Sequence, residues 1–345
     1  MQVRDFTTKR GEKLSFSLMG CGGTPFGDVQ TSLGSAETAN LANAAWKAGI
    51  RYFDTAPWYG HGLSELRLGP LLQAFPRDEF LLSTKVGKLV EPCSSSDAET
   101  VPYFHPGPPP RRIVFDYSYD GVMRSFAESM TRLGLESVDI LLVHDVDPYT
   151  HGSLETSEIR IRELVDLGGW QALDELRKTG LVKAIGAGVN DWEPCVRLLE
   201  LTDPDLFLLA GRYTLLEQTP LHTLFPHCRR RGVGIVLGGP YNSGVLARKG
   251  GEFNYGPAPA KVIALAEKLR AVSERYGLTL AEAAIQFLTA LPEIVCILPG
   301  HNSLDELAAN VANLDTLAPP AMWDEMRAEG LIDAEAPVPG ETVDA

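Results

Sequence analysis

Three apolar runs in this sequence each end on one ionisable side chain. Ile50–Phe53 runs into Asp54, Phe80–Thr84 into Lys85, and Val138–Val143 into His144. A phenol follows the first of them, Tyr59, in the stretch FDTAPWYGHGLSE. Together these types can move a proton. A tyrosine alone is a poor proton carrier at neutral pH, because its pKa lies near 10. A neighbouring ammonium favours the phenolate and lowers that value, so Lys85 is expected to depress the pKa of Tyr59 while Asp54 keeps the lysine charged and in place. His144 then orients a substrate oxygen or shares the proton. Each residue alone also reads as a capped strand end or a loop aromatic; the common register of all four favours chemistry.

Something must bring these ends together. Further apolar runs occupy Ser15–Cys21, Val182–Val189, Leu206–Leu209, Gly234–Leu237 and Ile294–Leu298. Most are continuous, as in strands buried on both faces. Between them lie helical stripes: Val122, Phe126, Met130 and Leu133; Trp170, Leu173 and Leu176, closing on Lys178-Thr179-Gly180; and Val262, Leu265, Ala266, Leu269 and Val272. Strand alternating with helix implies a parallel α/β sheet, and eight repeats favour a single closed (β/α)8 TIM barrel over residues 1–345. In such a barrel the strand C-termini converge at one mouth, which places Asp54, Lys85 and His144 side by side. An open dinucleotide-binding sheet is disfavoured, since Gly186-Ala187-Gly188 has Asp191 where the third glycine belongs. The stretch after Lys85, residues 88–117, is rich in serine and proline and reads as a long loop, either a lid over the substrate or a plain insertion.

The formal net charge of −14 gives no electrostatic support to a nucleic-acid or anionic-membrane partner. No uncharged apolar stretch reaches the roughly 18 residues that a membrane span needs. Five scattered cysteines without a C-x-x-C pair argue against a disulfide framework and a structural zinc site; no metal site is expected. A cytoplasmic enzyme of small molecules is therefore expected, as a monomer or homodimer.

The segments RYFDTAPWYGHGLSE, FLLSTKVG and VDILLVHD resemble the aldo-keto reductases, and the resemblance spans the chain. It implies a (β/α)8 barrel with an Asp–Tyr–Lys–His tetrad, here Asp54, Tyr59, Lys85 and His144. FDYSYDGVMRS, ILLVHDVDPYTHG and LLAGRYTLLEQ look closer to the branch that holds the aldose 1-dehydrogenases and a pyridoxal 4-dehydrogenase. The implied reaction is oxidation of the anomeric hydroxyl of an aldose to a lactone. Alternatives are oxidoreduction of a non-sugar such as pyridoxal and, as a different class, a cofactor-binding regulatory subunit.

The resemblance also implies a nicotinamide dinucleotide, NAD or NADP. The pocket departs from the family pattern. Gly188-Val189 stand where a Ser-Asn pair is usual, with Asn190 next to them and expected to hold the ring amide; Ala210 replaces a glutamine. Gly238 replaces a stacking tyrosine, for which Tyr241 is the substitute. The turn Gly239-Pro240-Tyr241-Asn242-Ser243-Gly244 matches the loop that closes over the pyrophosphate. In ILPGHNSLDELAANV, the residues expected at the adenosine end are Gly300, His301, Asn302, Glu306 and Asn310. Gly300 and Glu306 stand where NADP-preferring members carry a lysine and an arginine, so NAD is expected; His301 is the cation that would rescue NADP. For the substrate, Trp58 offers an apolar face or sits in the core, and Asp145 and Asp147 bind hydroxyls or cap the next helix. Arg212, with Tyr213 beside it, and Tyr103, with His105, complete the candidates.

Overall fold

The computed structural model describes residues 1–29, 31–94 and 110–341. Eight strands form one parallel sheet: β1 (Cys21–Gly22), β2 (Tyr52–Asp54), β3 (Leu81–Val86), β4 (Ile140–His144), β5 (Ala184–Val189), β6 (Leu206–Ala210), β7 (Gly234–Gly238) and β8 (Ile294–Leu298). Each pairs with the next in chain order. The sheet closes where the approach to β1 meets β8, through parallel bridges Met19 to Ile297 and Gly22 to Gly300. There the Gly20 amide donates to Ile297 O at 2.9 Å and the Ile297 amide to Leu18 O at 2.8 Å. The result is the (β/α)8 barrel expected from the alternation of runs.

Strand alternation sorts the core into two layers. Tyr52, Leu81, Ile140, Leu142, Ala184, Leu206, Leu208, Val236, Cys296 and Leu298 share the inner cluster. Their strand neighbours Phe53, Leu82, Leu141, Val143, Ile185, Phe207 and Ile297 pack in the outer cluster, against the helices. Side chains two apart point the same way, so Asp54 faces inward with Tyr52, Lys85 with Leu81, and His144 with Leu142. The same parity brings Gly188, Ala210 and Gly238 to the inner face of β5, β6 and β7. The top layer thus has an ionisable half on β2–β4 and a half of small residues on β5–β7.

The helical stripes lie on Tyr119–Leu133, Gly169–Lys178 and Ala260–Arg275. The run Ser15–Cys21, read as one strand, is two. Lys13–Ser17 pairs antiparallel with Val3–Thr7, and the barrel strand begins only at Cys21. Leu14 and Phe16 of this hairpin join the inner cluster and close the barrel floor. The long segment after β3 is not loop throughout: Lys88–Pro92 and Arg111–Phe115 form an antiparallel hairpin stem. Tyr103 and His105 lie outside the described residues. The Gly-x-Gly of β5 is a packing device. A Cβ on Gly186 would stand 1.7 Å from Leu206 O, and one on Gly188 would press on the Lys85 stem at 3.2 Å. Among the described residues no helix is long and apolar enough to cross a membrane.

Candidate active site

Lys85 is the hub of the ionisable half. Its Nζ donates to Asp54 Oδ2 at 2.7 Å, to Thr55 O at 3.0 Å and to the Tyr59 hydroxyl at 2.9 Å. Asp54 is held in turn by Ser83, whose Oγ donates to Oδ1 at 2.6 Å, with the Tyr52 hydroxyl 2.8 Å from that Oγ. Asp54 and Lys85 are buried, at 2% and 1% exposure, so the pair stands with both partners hydrogen-bonded and water excluded. The His144 ring stands edge-on to Tyr59, centroids 5.9 Å apart. Trp58 stands beside both, 6.0 Å from Tyr59 and 6.4 Å from His144.

The electrostatics differ from the expectation for Tyr59. Burial holds its hydroxyl well above the ordinary tyrosine range, and the Asp54 carboxylate adds to this. The Lys85 contact does not reverse it, because Asp54 balances the ammonium and the low-dielectric surroundings disfavour a phenolate. Burial also lowers the Lys85 pKa, with Asp54 opposing. His144 is pushed well below the usual histidine range by burial, then by the Lys88 and Lys85 charges, so its ring is neutral. The resting site is a neutral phenol and a neutral imidazole around a salt bridge.

The other sequence candidates divide. Asp145 lies in the site, its Oδ2 3.4 Å from His144 Nε2. Asp147 is fully buried and structural. It caps Pro148–His151 through the Thr150 amide at 2.9 Å and accepts from the Asn190 amide at 2.5 Å. Asn190 Nδ2 reaches Asp145 Oδ1 at 3.1 Å. Tyr213 is a core residue, packed on Phe225 and Phe287 with centroids 4.8 and 5.4 Å away. Arg212 grips Asp191 at 3.1–3.2 Å, and that carboxylate also takes the Tyr149 amide at 2.8 Å. Tyr149 in turn faces Tyr255, 5.9 Å between centroids.

The candidate dinucleotide residues lie at the ends of β7 and β8. Ala210 and Gly238 pair in register, and with Gly188 they put small residues on the inner face beside the tetrad. Gly239, Asn242, Ser243 and Gly244 all have positive φ, giving a tight turn. The Arg248 guanidinium lies against it, 3.3 Å from where a Gly244 Cβ would be. Nothing in the sequence marked Arg248 except a cation shortly after the turn. Tyr241 is anchored through its hydroxyl, which donates to Asn310 Oδ1 at 2.7 Å and accepts from Asn313 at 3.1 Å. Asn242 is tied to Gly211 O at 2.9 Å and Glu217 at 3.0 Å.

His301 is no cation. It is fully buried between Asn310 Nδ2, 3.1 Å from Nδ1, and Gly20 O, 3.3 Å from Nε2. Burial lowers its pKa to about 4. Gly300 is exposed at the end of β8, and Glu306 accepts from the amide and side chain of Asn302 at 2.9 and 3.1 Å. With Asp305 it puts two carboxylates in the first turn of Leu304–Asn313. These residues suit a nicotinamide dinucleotide: small side chains stand beside the tetrad, and a glycine turn beside a guanidinium offers backbone amides and a charge to phosphates.

Lys88 could not be recognised from sequence as a site residue. It is 4% exposed, its Nζ bonds Asp145 Oδ2, and it lies 5.2 Å from the centre of the Trp58 ring.

Residues 18–329 match the model of the aldo/keto reductase family. A pyridoxal 4-dehydrogenase from Microbacterium luteolum is 39% identical over 92% of this chain and 95% of that protein. A D-threo-aldose 1-dehydrogenase from a Pseudomonas species is 35% identical over the same shares. An L-galactose dehydrogenase from Arabidopsis thaliana is 28% identical over 92% and 90%. Among solved structures, an aldo-keto reductase from Bacillus halodurans in its holo form superposes with a TM-score of 0.72 at 21% identity, covering 97% of this chain and 98% of that one. A glycerol dehydrogenase from Gluconobacter oxydans gives 0.70 at 16%, covering 99% of each. These two show a shared fold.

Proposed function

The chain belongs to the aldo/keto reductase family, and from that premise we propose that it is an NAD-linked dehydrogenase oxidising a cyclic hemiacetal, in the first place an aldose, to its lactone. It is an oxidoreductase of a family that uses nicotinamide cofactors. The observation that carries the reading is the contact of Lys85 Nζ with both the Tyr59 hydroxyl, at 2.9 Å, and Asp54, at 2.7 Å. A nicotinamide dinucleotide, when bound, accepts the hydride from C1.

The residues of the chain do the rest. His144, neutral, hydrogen-bonds the anomeric oxygen. Tyr59 takes the proton of that hydroxyl as its phenolate and becomes the phenol; Lys85 stabilises the phenolate before the transfer, while Asp54 keeps the lysine charged. Trp58 covers the apolar face of the sugar and helps exclude water. Glu306 and Asp305 disfavour the 2′-phosphate of NADP by like charge and suit a ribose hydroxyl, which donates to a carboxylate.

Pyridoxal stands as the second reading, favoured by the 39% identity to a pyridoxal 4-dehydrogenase. The two substrates are chemically akin, because the hydroxymethyl beside the pyridoxal aldehyde also closes to a cyclic hemiacetal. NADH formation over L-fucose, L-galactose, D-arabinose, L-rhamnose, D-glucose and pyridoxal separates them. Turnover of an aldose with the highest kcat/KM supports the lead reading, and turnover of pyridoxal alone replaces it. Tyr59→Phe is expected to cost about 10²–10⁴-fold in kcat, the usual share of a positioned acid–base. Cofactor Kd, read by fluorescence titration, stays within a few-fold. Undiminished kcat would remove Tyr59 from the mechanism. Tight cofactor binding with no turnover of any carbonyl or alcohol would instead favour a regulatory subunit.

A further inference from the structure

One charged pair at the mouth has no part in the proton relay. Lys88 opens the hairpin stem after β3, its Nζ bonded to Asp145 Oδ2 and lying 5.2 Å from the Trp58 ring centre and 5.6 Å from that of Phe115. The side chains of the pair are 5% and 13% exposed. Asp145 is fixed on several sides. Its amide donates to Gly188 O at 2.8 Å, its carbonyl accepts from the Tyr117 hydroxyl at 3.1 Å, and its Oδ1 accepts from Asn190 at 3.1 Å. Its φ is +53°, a left-handed conformation that a residue with a Cβ adopts at a cost. A desolvated ion pair on a strained backbone is poor value for stability, since burial cancels most of the attraction. Strain and buried charge of this kind gather where a ligand is held.

We propose that Lys88 and Asp145 form a hydroxyl clamp, a subsite for a substrate oxygen close to the reacting carbon, which in an aldose is the 2-hydroxyl. A hydroxyl is donor and acceptor at once, and the pair offers its complement, a carboxylate oxygen to receive the proton and an ammonium to donate. Asp145 Oδ2 lies 3.4 Å from His144 Nε2. Groups that close together reach oxygens on adjacent carbons, one held by His144 and the next by the clamp. Trp58, touching Lys88, Tyr59 and His144 alike, covers the carbons between them.

The clamp rests on the hemiacetal-oxidation reading and names which neighbouring oxygen that site selects. The test measures kcat/KM of the wild type, Lys88→Met and Lys88→Arg on the best aldose and its 2-deoxy counterpart, and on pyridoxal and its 3-deoxy counterpart. Cofactor Kd and Tm serve as controls for folding. The wild type should prefer the hydroxylated member of a pair by about 10- to 100-fold, as expected for a hydrogen bond to a charged group. Lys88→Met should collapse that preference toward one, mainly through KM, and Lys88→Arg should restore part of it. An equal loss on both members, or a wild type that does not discriminate, overturns the clamp. If only pyridoxal is turned over, the aldose reading fails, and the clamp stands or falls on the pyridoxal pair. Turnover confined to carbonyls lacking any such oxygen overturns both.

Discussion

Tyr59 shows what burial does to a proton carrier. Its contact with Lys85 at 2.9 Å was expected to make it acidic, yet burial and Asp54 hold it well above the ordinary range. The two directions of a dehydrogenase then respond differently to pH. Oxidation needs the phenolate as base, whose fraction rises tenfold per pH unit below the pKa. Reduction needs the phenol as acid, which is the resting form. Oxidative kcat/KM should therefore climb from pH 6 to 10 without levelling, and reductive kcat/KM should stay flat and fall only at the alkaline end. A level oxidative profile across that range would count against a tyrosine of raised pKa as the base. Asp54, Lys85 and His144 were legible in the sequence because each ends an apolar run in the register that turns it inward. Lys88 was not, because its role depends on a hairpin bending it back over Trp58, which no local pattern encodes. Nor was the core role of Tyr213, since the same residue type lines polar sites and cores, whereas the capping role that the sequence offered for Asp147 is the one it takes.

The strands and helices divide the labour. The small residues of β5–β7 stand opposite the ionisable ends of β2–β4, and Gly188 lets the Lys85 stem pass. Continuous apolar runs announced these strands plainly. They could not separate Lys13–Ser17 from Cys21–Gly22, because the chain stays buried without a break from Phe16 to Gly22. Two residues at the helix Leu304–Asn313 can be tested, Glu306 in its first turn and His301, which packs against its Asn310. Glu306→Arg should move the kcat/KM ratio toward NADP by replacing a repelling charge with a guanidinium that pairs with phosphate; an unchanged ratio would mean that the 2′ position is bound elsewhere. His301, neutral in the fold with a pKa of about 4, makes stability fall in acid. The folded chain resists the proton that the unfolded chain takes up near pH 6.5. Stability from this group is thus complete above about 6.5 and is lost toward 4, by roughly 3 kcal/mol in all. In urea unfolding at pH 7 and pH 4.5, His301→Gln should lose less stability in acid than the wild type does; equal losses would discount the linkage.

The barrel as a unit is stoppered at the end away from the chemistry. Arg4, on the first strand of the floor hairpin, donates to the carbonyls of Leu291, at 2.8 Å, and of Ile294 and Thr289, joining the hairpin to the chain entering β8. Removing its guanidinium strands these acceptors, at roughly 1–3 kcal/mol. Arg4→Met should lower Tm by several degrees and leave kcat/KM close to the wild-type value, because the floor and the mouth are separated by the packed inner layer. A comparable loss in kcat/KM would show that the floor sets the geometry of the mouth.

The split top layer of this barrel has one more consequence. On the proposed mechanism, proton movement belongs to the sector of β2–β4 and the electron acceptor lies over the sector of β5–β7. A substrate bound in that way would span the seam, giving its proton to one side and its hydride to the other. The two sectors also meet at Gly188, where any added side chain would press on the Lys85 stem at 3.2 Å, so a change made on β5 to suit a coenzyme would disturb the acid–base sector as well.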